Sequence, residues 1–506
     1  MSTSPITPSS NNSTSHTKEA KEIASGGGIV FAASVVEGGG RLFVTWLLSG
    51  FFGAEVFGVY TLTITTIVLI KMFSSLGTEL GSIYFGAKYR QQGELDKLKG
   101  LVISSLTVST VSGIVCSVIL WFAAPYITEE YYALRLSLPG IIVWTPLHTL
   151  VGLLRAQKDM TGNALVYQIT IPLTLIIGSI VVVALELDLY AALITYWISL
   201  ALSLIFGIIR SWKHFYPLLS NPLLKPVYAW KELLTYSIPM AFSQFVFRLN
   251  AWMDILMLGW LSTNTEVGIY RIAVSLSIIA TLSITSVVTI FNPIIVELVE
   301  KNDLPKLNSL LKLVTKWIIL FNAPLLMAFY IAPDAILFFF DNSYLDSEMP
   351  LIILTVGQFV WSACSIAMRV IPMSGYAMLN LANGIVAGVL NMILNYILIP
   401  KYGGIGAAIA TSTTLVIWSL WRLVELQWLL HCFPFHKAST MILVSGAALS
   451  VVTRELLLEM SIIPKICITT VVLCIYTGLC FWLSKEEADQ EIITKFTAKF
   501  RRLFAT

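Results

Sequence analysis

The chain has 506 residues, of which 57% are apolar and only 12% charged, and its mean hydropathy is +0.81. That composition excludes a water-soluble globular protein and identifies a polytopic membrane protein. The formal net charge of +3 matters less than where the charges fall along the chain.

The first residues, MSTSPITPSSNNSTSHTKEAKEIAS, are rich in Ser, Thr and Asn and lack an apolar core. Residues 1–27 are therefore expected to form a disordered cytoplasmic tail, not a cleaved signal peptide. Apolar windows follow at 28–50, 57–85, 100–123, 136–154, 163–185, 189–210, 234–260 and 267–296. Six more fall at 310–331, 350–369, 383–400, 405–429, 439–457 and 464–484. A spanning helix takes roughly 20 apolar residues, so this pattern predicts an all-α integral membrane protein with about 14 transmembrane helices. Fourteen spans of about 22 residues use about 308, which leaves no room for a large extramembrane catalytic domain.

Charge placement supports that count. With both termini cytoplasmic, 24 of the 32 Lys and Arg fall on the inside segments and only Arg135, Lys401, Arg454 and Lys465 on the outside loops. A miscounted span would scramble this positive-inside alternation. The remaining cations, Arg41, Lys71, Arg248 and Arg271, lie inside predicted spans.

The chain also repeats itself at an offset of 207 to 216 residues. Arg41-Leu42 falls on Arg248-Leu249, Gly58-Val59-Tyr60 on Gly268-Ile269-Tyr270, and Ala191-Ala192 on Ala407-Ala408. The repeat predicts two pseudo-symmetric six-helix lobes, 28–212 and 234–430, joined by a basic, Pro-rich cytoplasmic linker at 213–233. Two further helices at 431–484 form an appendage, and the basic tail 485–506 is expected to lie on the anionic inner leaflet. Duplicated bundles around a central cleft are the usual build of an alternating-access transporter.

Charges within a span cost several kcal/mol and normally face a cavity or a partner. Glu37 and Arg41 are four apart on one face of the first span, and Lys71 is expected near mid-depth of the second. The seventh span carries Arg248 and Asp254, and the eighth opens with Arg271 and is rich in hydroxyls. The cation excess points to an anionic ligand, with phosphate favoured because Arg offers paired donors and Lys a mobile point charge. On this reading Arg41, Lys71, Arg248 and Arg271 line a cationic cleft, while Glu37 and Asp254 are candidates for coupling to H+ or Na+. In the competing reading the same charges only pair with one another and pin helices together. Asn391 and Asn395 read as interhelical glue and His148 as a structural histidine. The six cysteines show no metal spacing, and neither a phosphate-binding loop nor a zinc-protease motif is present, so no cofactor, enzymatic activity or nucleic-acid partner is expected.

Four stretches, GAEVFGVYTL (53–62), SSLGTELGSIYFGAKYRQQGELDKLKG (74–100), EVGIYRIAVSL (266–276) and NMILNYILIPKYGGIGAAIATS (391–412), resemble the polysaccharide flippases of the multidrug/oligosaccharidyl-lipid/polysaccharide exporter superfamily. The resemblance implies a V-shaped fold of two lobes with a cationic central cleft. It further implies movement of a polyprenyl-diphosphate-linked oligosaccharide from the inner to the outer leaflet for O-antigen, capsule or exopolysaccharide synthesis. Implied with it are a cell-membrane location, membrane lipids as surroundings, and a glycan polymerase or glycosyltransferases as partners. Rival functions are a lipid II or teichoic-precursor flippase of the same fold, a drug/cation antiporter, and a multispanning glycan polymerase or ligase.

Overall fold

The computed structural model describes residues 11–281, 295, 298–340, 342–374 and 376–483. The first ten residues of the expected tail, the basic tail 485–506, and the hydroxyls Ser283, Thr285, Ser286 and Thr289 lie outside the described residues. Among the described residues the chain is helical, with no strand. In order the helices are α1 (Asn11–Ser74), α2 (Thr78–Gln92), α3 (Leu95–Ile127), α4 (Tyr131–Ala156), the short α5 (Met160–Asn163), a π-helical stretch Ala164–Ile169, α6 (Thr170–Ala184) and α7 (Leu189–Leu219). They continue with α8 (Trp230–Leu261), α9 (Asn264–Ser277), α10 (Leu304–Ile331), α11 (Pro333–Leu337), α12 (Glu348–Met373), α13 (Ala377–Leu430), α14 (Lys437–Leu457) and α15 (Ile462–Leu483).

Among the described residues, 10 helices are long and apolar enough to cross a bilayer. Two of them, Ala32–Ser74 with 43 residues and Met378–Leu430 with 53, exceed one crossing. At 1.5 Å per residue they would extend about 65 and 80 Å, against a hydrocarbon core of about 30 Å. Each breaks at a glycine with positive φ, Gly53 (72°) and Gly403 (54°), a conformation that a side chain disfavours. Each is therefore long enough for two passes. Helix α8 and the 267–296 segment, part of which lies outside the described residues, are not among the ten.

The second predicted span is not continuous. Helix α1 ends at Ser74, Leu76 and Gly77 turn in the left-handed region, and α2 begins at Thr78. Lys71, expected near mid-depth of the second span, sits in the last turn of α1, and Glu79 in the first turn of α2. The cation at a helix C-terminus and the carboxylate at a helix N-terminus are each favoured by the local peptide dipoles.

Contacts divide the chain into two compact units, residues 1–48 with 63–249 and residues 49–62 with 250–506. Unit 1 is packed in the manner of a membrane protein. On α3, Val111, Val115, Val118 and Phe122 are exposed while Ser105, Ser109, Gly113 and Ser117 are buried. On α7, Ser199, Ser203, Gly207 and Ser211 recur every fourth residue on the buried face. Lipid is as apolar as leucine, so helices gain little by hiding large side chains from it. Small residues let backbones approach, and hydroxyls bond across the gap. Ser117 Oγ donates to the Leu138 carbonyl at 3.2 Å, and Ser203 Oγ to the Val166 carbonyl at 2.5 Å.

In unit 2, α14 and α15 pack on α10 through Met327, Ile442, Leu457 and Tyr476. Two ion pairs fasten them, Arg454–Glu348 at 2.9 Å and Lys465–Asp334 at 2.6 Å. Residues 49–62 pack against α9, where a Cβ on Gly58 would fall on the Asn264 carbonyl and one on Gly268 on that of Ala54. The two glycines occupy matching positions of the sequence repeat, and their missing side chains allow the close crossing.

Candidate functional site

In unit 1, the break between α1 and α2 gathers the ionisable groups. Glu79 accepts a hydrogen bond from His148 on α4 at 2.9 Å and from Arg155 Nη1 at 3.1 Å. Arg155 Nε in turn donates to Asn163 Oδ1 at 3.0 Å. A carboxylate paired with arginine only accepts, so the His148 proton that faces it is on Nδ1. Lys71 is 9% exposed, stands 5.0 Å from the centroid of the Trp144 ring, and has no carboxylate at ion-pair distance among the described residues. Its field is shared with Glu79 and Arg248.

Glu37 and Arg41 form an ion pair at 2.5 Å, with the arginine side chain 62% exposed and the glutamate 18%. Glu37 thus offsets Arg41 one turn away on the same helix. Arg248 on α8 is exposed and makes no ion pair among the described residues. The Tyr167 ring lies in the combined field of Arg41, Glu37, Glu79 and Arg248. Three of the four predicted cations therefore belong to one electrostatic neighbourhood in unit 1, and two of them have no carboxylate at ion-pair distance among the described residues. A dianionic phosphate group is the complement of such a cluster.

Arg271 and Asp254 belong to unit 2. The Arg271 guanidinium stands 5.1 Å from the Trp252 ring. Asp254 is buried and accepts from Tyr270 Oη at 2.5 Å and from Thr411 Oγ1 at 3.0 Å, with no cation against it among the described residues. Asn391 Nδ2 donates to the same Thr411 hydroxyl at 3.3 Å, and Asn395 Nδ2 to Asn391 Oδ1 at 2.9 Å. Asp254, Thr411, Asn391 and Asn395 thus form a chain of oxygen-bearing groups, and the two asparagines read as glue extend a buried carboxylate's network.

Sequence reasoning missed the Glu79–His148–Arg155 cluster. His148 and Arg155 are seven apart on α4, a spacing that puts both on one face, but their common partner lies 69 and 76 positions away. Arg422, assigned by sequence to a cytoplasmic segment, is only 1% exposed inside α13 and pairs with Glu425 at 3.2 Å.

Residues 26–299 match the sequence family described as Polysaccharide biosynthesis protein. Over 288 residues the chain is 24% identical to the probable low-salt glycan biosynthesis flippase Agl15 of Haloferax volcanii, a match that takes in 56% of this chain and 59% of that relative. Among solved structures the chain is similar to the lipid II flippase MurJ in an inward closed conformation, with a TM-score of 0.65 at 15% identity over 90% of this chain and 99% of the other. It is also similar to an inward-facing multidrug resistance MATE family transporter of the MOP superfamily, with a TM-score of 0.65 at 14% identity over 77% of this chain and 94% of the other. At such identities the likeness shows the fold, that of a multi-pass helical membrane protein.

Proposed function

The chain belongs to the polysaccharide biosynthesis protein family, and from that premise we propose that it moves a polyprenyl-diphosphate-linked oligosaccharide from the inner to the outer leaflet by alternating access. The observation that carries this reading is the cation cluster of unit 1, in which Lys71 and Arg248 have no carboxylate partner among the described residues. Held in a low-dielectric setting, they favour a diphosphate far more than water would. Arg41 offers a further guanidinium in unit 1, and in unit 2 Arg271 is a substrate contact considered by itself. The protein is a transporter with no catalytic step, its termini face the cytoplasm, and a glycan polymerase or glycosyltransferases work beside it.

Transport against a gradient needs a coupling ion. Asp254, buried among hydroxyl and amide oxygens, takes that role with H+ or Na+, and Glu37 is the second candidate. A lipid II or teichoic-precursor flippase shares the fold and the need for a cationic site. A drug/cation antiporter would need a surplus of anions, which the unit 1 cluster does not supply.

The test is translocation of a fluorescent polyprenyl-diphosphate oligosaccharide in proteoliposomes, comparing wild type with Arg41→Ala, Lys71→Ala and Arg248→Ala at matched reconstitution. Wild-type flipping lost in Lys71→Ala and Arg248→Ala supports the reading. Variants that flip normally remove the cation cluster from the mechanism. A wild type that ignores glycolipids but exports a cationic dye against a proton gradient replaces the flippase by the antiporter.

A further inference from the structure

Beside the cation cluster, unit 1 holds a group of polar atoms that the packing leaves unsatisfied. Trp144 Nε1–H, His148 Nε2 and Gln168 Oε1 are all buried and have no hydrogen-bond partner among the described residues. Trp144 is only 5% exposed. The Glu79 carboxylate holds the His148 proton on Nδ1, so Nε2 is a bare acceptor. Gln168 spends its amide N–H on Ser34 Oγ at 3.1 Å, which leaves its carbonyl oxygen as a second bare acceptor. The three atoms therefore present one donor and two acceptors.

Aromatic surface accompanies them. Tyr167 meets His148 edge to face with ring centroids 4.9 Å apart, and the Trp144 ring lies 6.1 Å from that of His148. Tyr167 and Gln168 come from the π-helical stretch Ala164–Ile169, where Thr170 Oγ1 bonds five residues back to the Leu165 carbonyl at 2.8 Å. The wider turn re-aims both side chains relative to α6, and such insertions concentrate at functional sites. Lys71, over the same Trp144 ring, and the fields of Arg41 and Arg248 on Tyr167 place the anion-binding groups next to this aromatic and polar cluster.

We propose that Trp144, His148, Tyr167 and Gln168 form the subsite for the first sugar of the lipid-linked substrate, and that this sugar is a neutral, hydroxyl-rich pyranose. The proposal rests on the flippase reading above. A pyranose has an apolar C–H face suited to aromatic rings and hydroxyls that both donate and accept, matching the one donor and two acceptors. Its anomeric carbon is bonded directly to the diphosphate, so a sugar subsite must adjoin the cations, as this one does. The fixed acceptors His148 Nε2 and Gln168 Oε1 repel a carboxylate, which disfavours a uronic acid at this position. With the atoms closed off and no ligand present their desolvation is uncompensated, and sugar hydroxyls complete the missing hydrogen bonds.

The experiment titrates purified protein with a polyprenyl-diphosphate N-acetylhexosamine, with the matching uronic-acid lipid, and with the same polyprenyl diphosphate lacking a sugar. The wild type is expected to bind the neutral sugar lipid about tenfold or more tightly than the bare diphosphate, the yield of one or two satisfied hydrogen bonds. That ratio is expected to fall toward one in His148→Ala and by several fold in Trp144→Phe, which keeps an aromatic ring but loses the N–H with the five-membered half of the indole. Lys71→Ala weakens both lipids alike and leaves the ratio intact. A wild-type ratio near one, a preference for the uronic acid, or a ratio unmoved in both His148→Ala and a well-folded Trp144→Phe would overturn the subsite while leaving the flippase reading in place. Failure of the wild type to bind any of the three lipids would refute the flippase reading, and the subsite with it.

Discussion

Replacing Lys71 by methionine separates a ligand-binding cation from a helix pin, because the two roles predict opposite changes in stability. Lys71 is 9% exposed, lies 5.0 Å from the Trp144 ring centroid and has no carboxylate at ion-pair distance among the described residues. Removing an ammonium from water costs several kcal/mol, and one cation–π contact returns about 2 kcal/mol. Methionine fills nearly the same volume and leaves no orphaned counter-charge. The detergent-solubilised variant is therefore expected to be as stable as wild type or more stable by about 1–2 kcal/mol. Ligand binding changes in the other direction. A unit charge about 4 Å from a phosphate oxygen contributes about 4 kcal/mol at an effective dielectric of 20, before desolvation of the ligand. The net loss is then roughly 1.5–3 kcal/mol, or about 10- to 150-fold weaker binding of a polyprenyl diphosphate. Thermal unfolding and lipid titration on the same preparation check both halves. A variant that melts earlier and binds the lipid as before would refute the reasoning and make Lys71 a pin.

Other residues give complementary expectations. Arg422 is buried against Glu425, which also accepts from Asn383 and Trp421, so Arg422→Met leaves an uncompensated carboxylate and should cost about 3–5 kcal/mol in thermal unfolding. The double variant Arg422→Met/Glu425→Gln should recover much of that loss. Gly58→Leu drives a side chain into the Asn264 backbone and should cost about 3 kcal/mol or more, read as lost expression and an earlier melting transition, whereas Gly93→Ala meets nothing and costs mainly its strained φ of 71°. At the turn before α5, burial pushes the Asp159 carboxyl up, but hydrogen bonds from Arg210, the Gly162 N–H and His214 outweigh it and hold the group below the usual carboxylate range. A depressed carboxylate stabilises the fold above its unfolded value of about 4, and that contribution is lost as the pH falls through the folded value. Asp159→Asn should therefore cost about 1 kcal/mol at pH 7, a figure discounted for the exposure of Arg210 to solvent, and the gap from wild type should close progressively below about pH 4. A gap that persists or widens in acid would remove the ion pair as its cause.

Much of this protein was legible in the order of its residues, because a bilayer imposes a one-dimensional code. Length and hydropathy of each apolar run decide whether it can cross, so the helical membrane fold needed no contact map. The offset repeat even paired Gly58 with Gly268, two residues that close packing places at one crossing. Other features depend on which helix lies beside which. The break at Leu76 and Gly77 puts Lys71 at a helix end, a local backbone choice that average hydropathy over a window does not register. His148 looked solitary because Glu79 is distant in sequence, and the burial of Arg422 was not legible because Asn380, its partner besides Glu425, lies 42 positions away. Whether an intramembrane charge is neutralised is a question of distance in space. Tertiary structure answered it differently for Arg41, which has Glu37 one turn away, and for Lys71, which has an aromatic ring in place of a counter-ion.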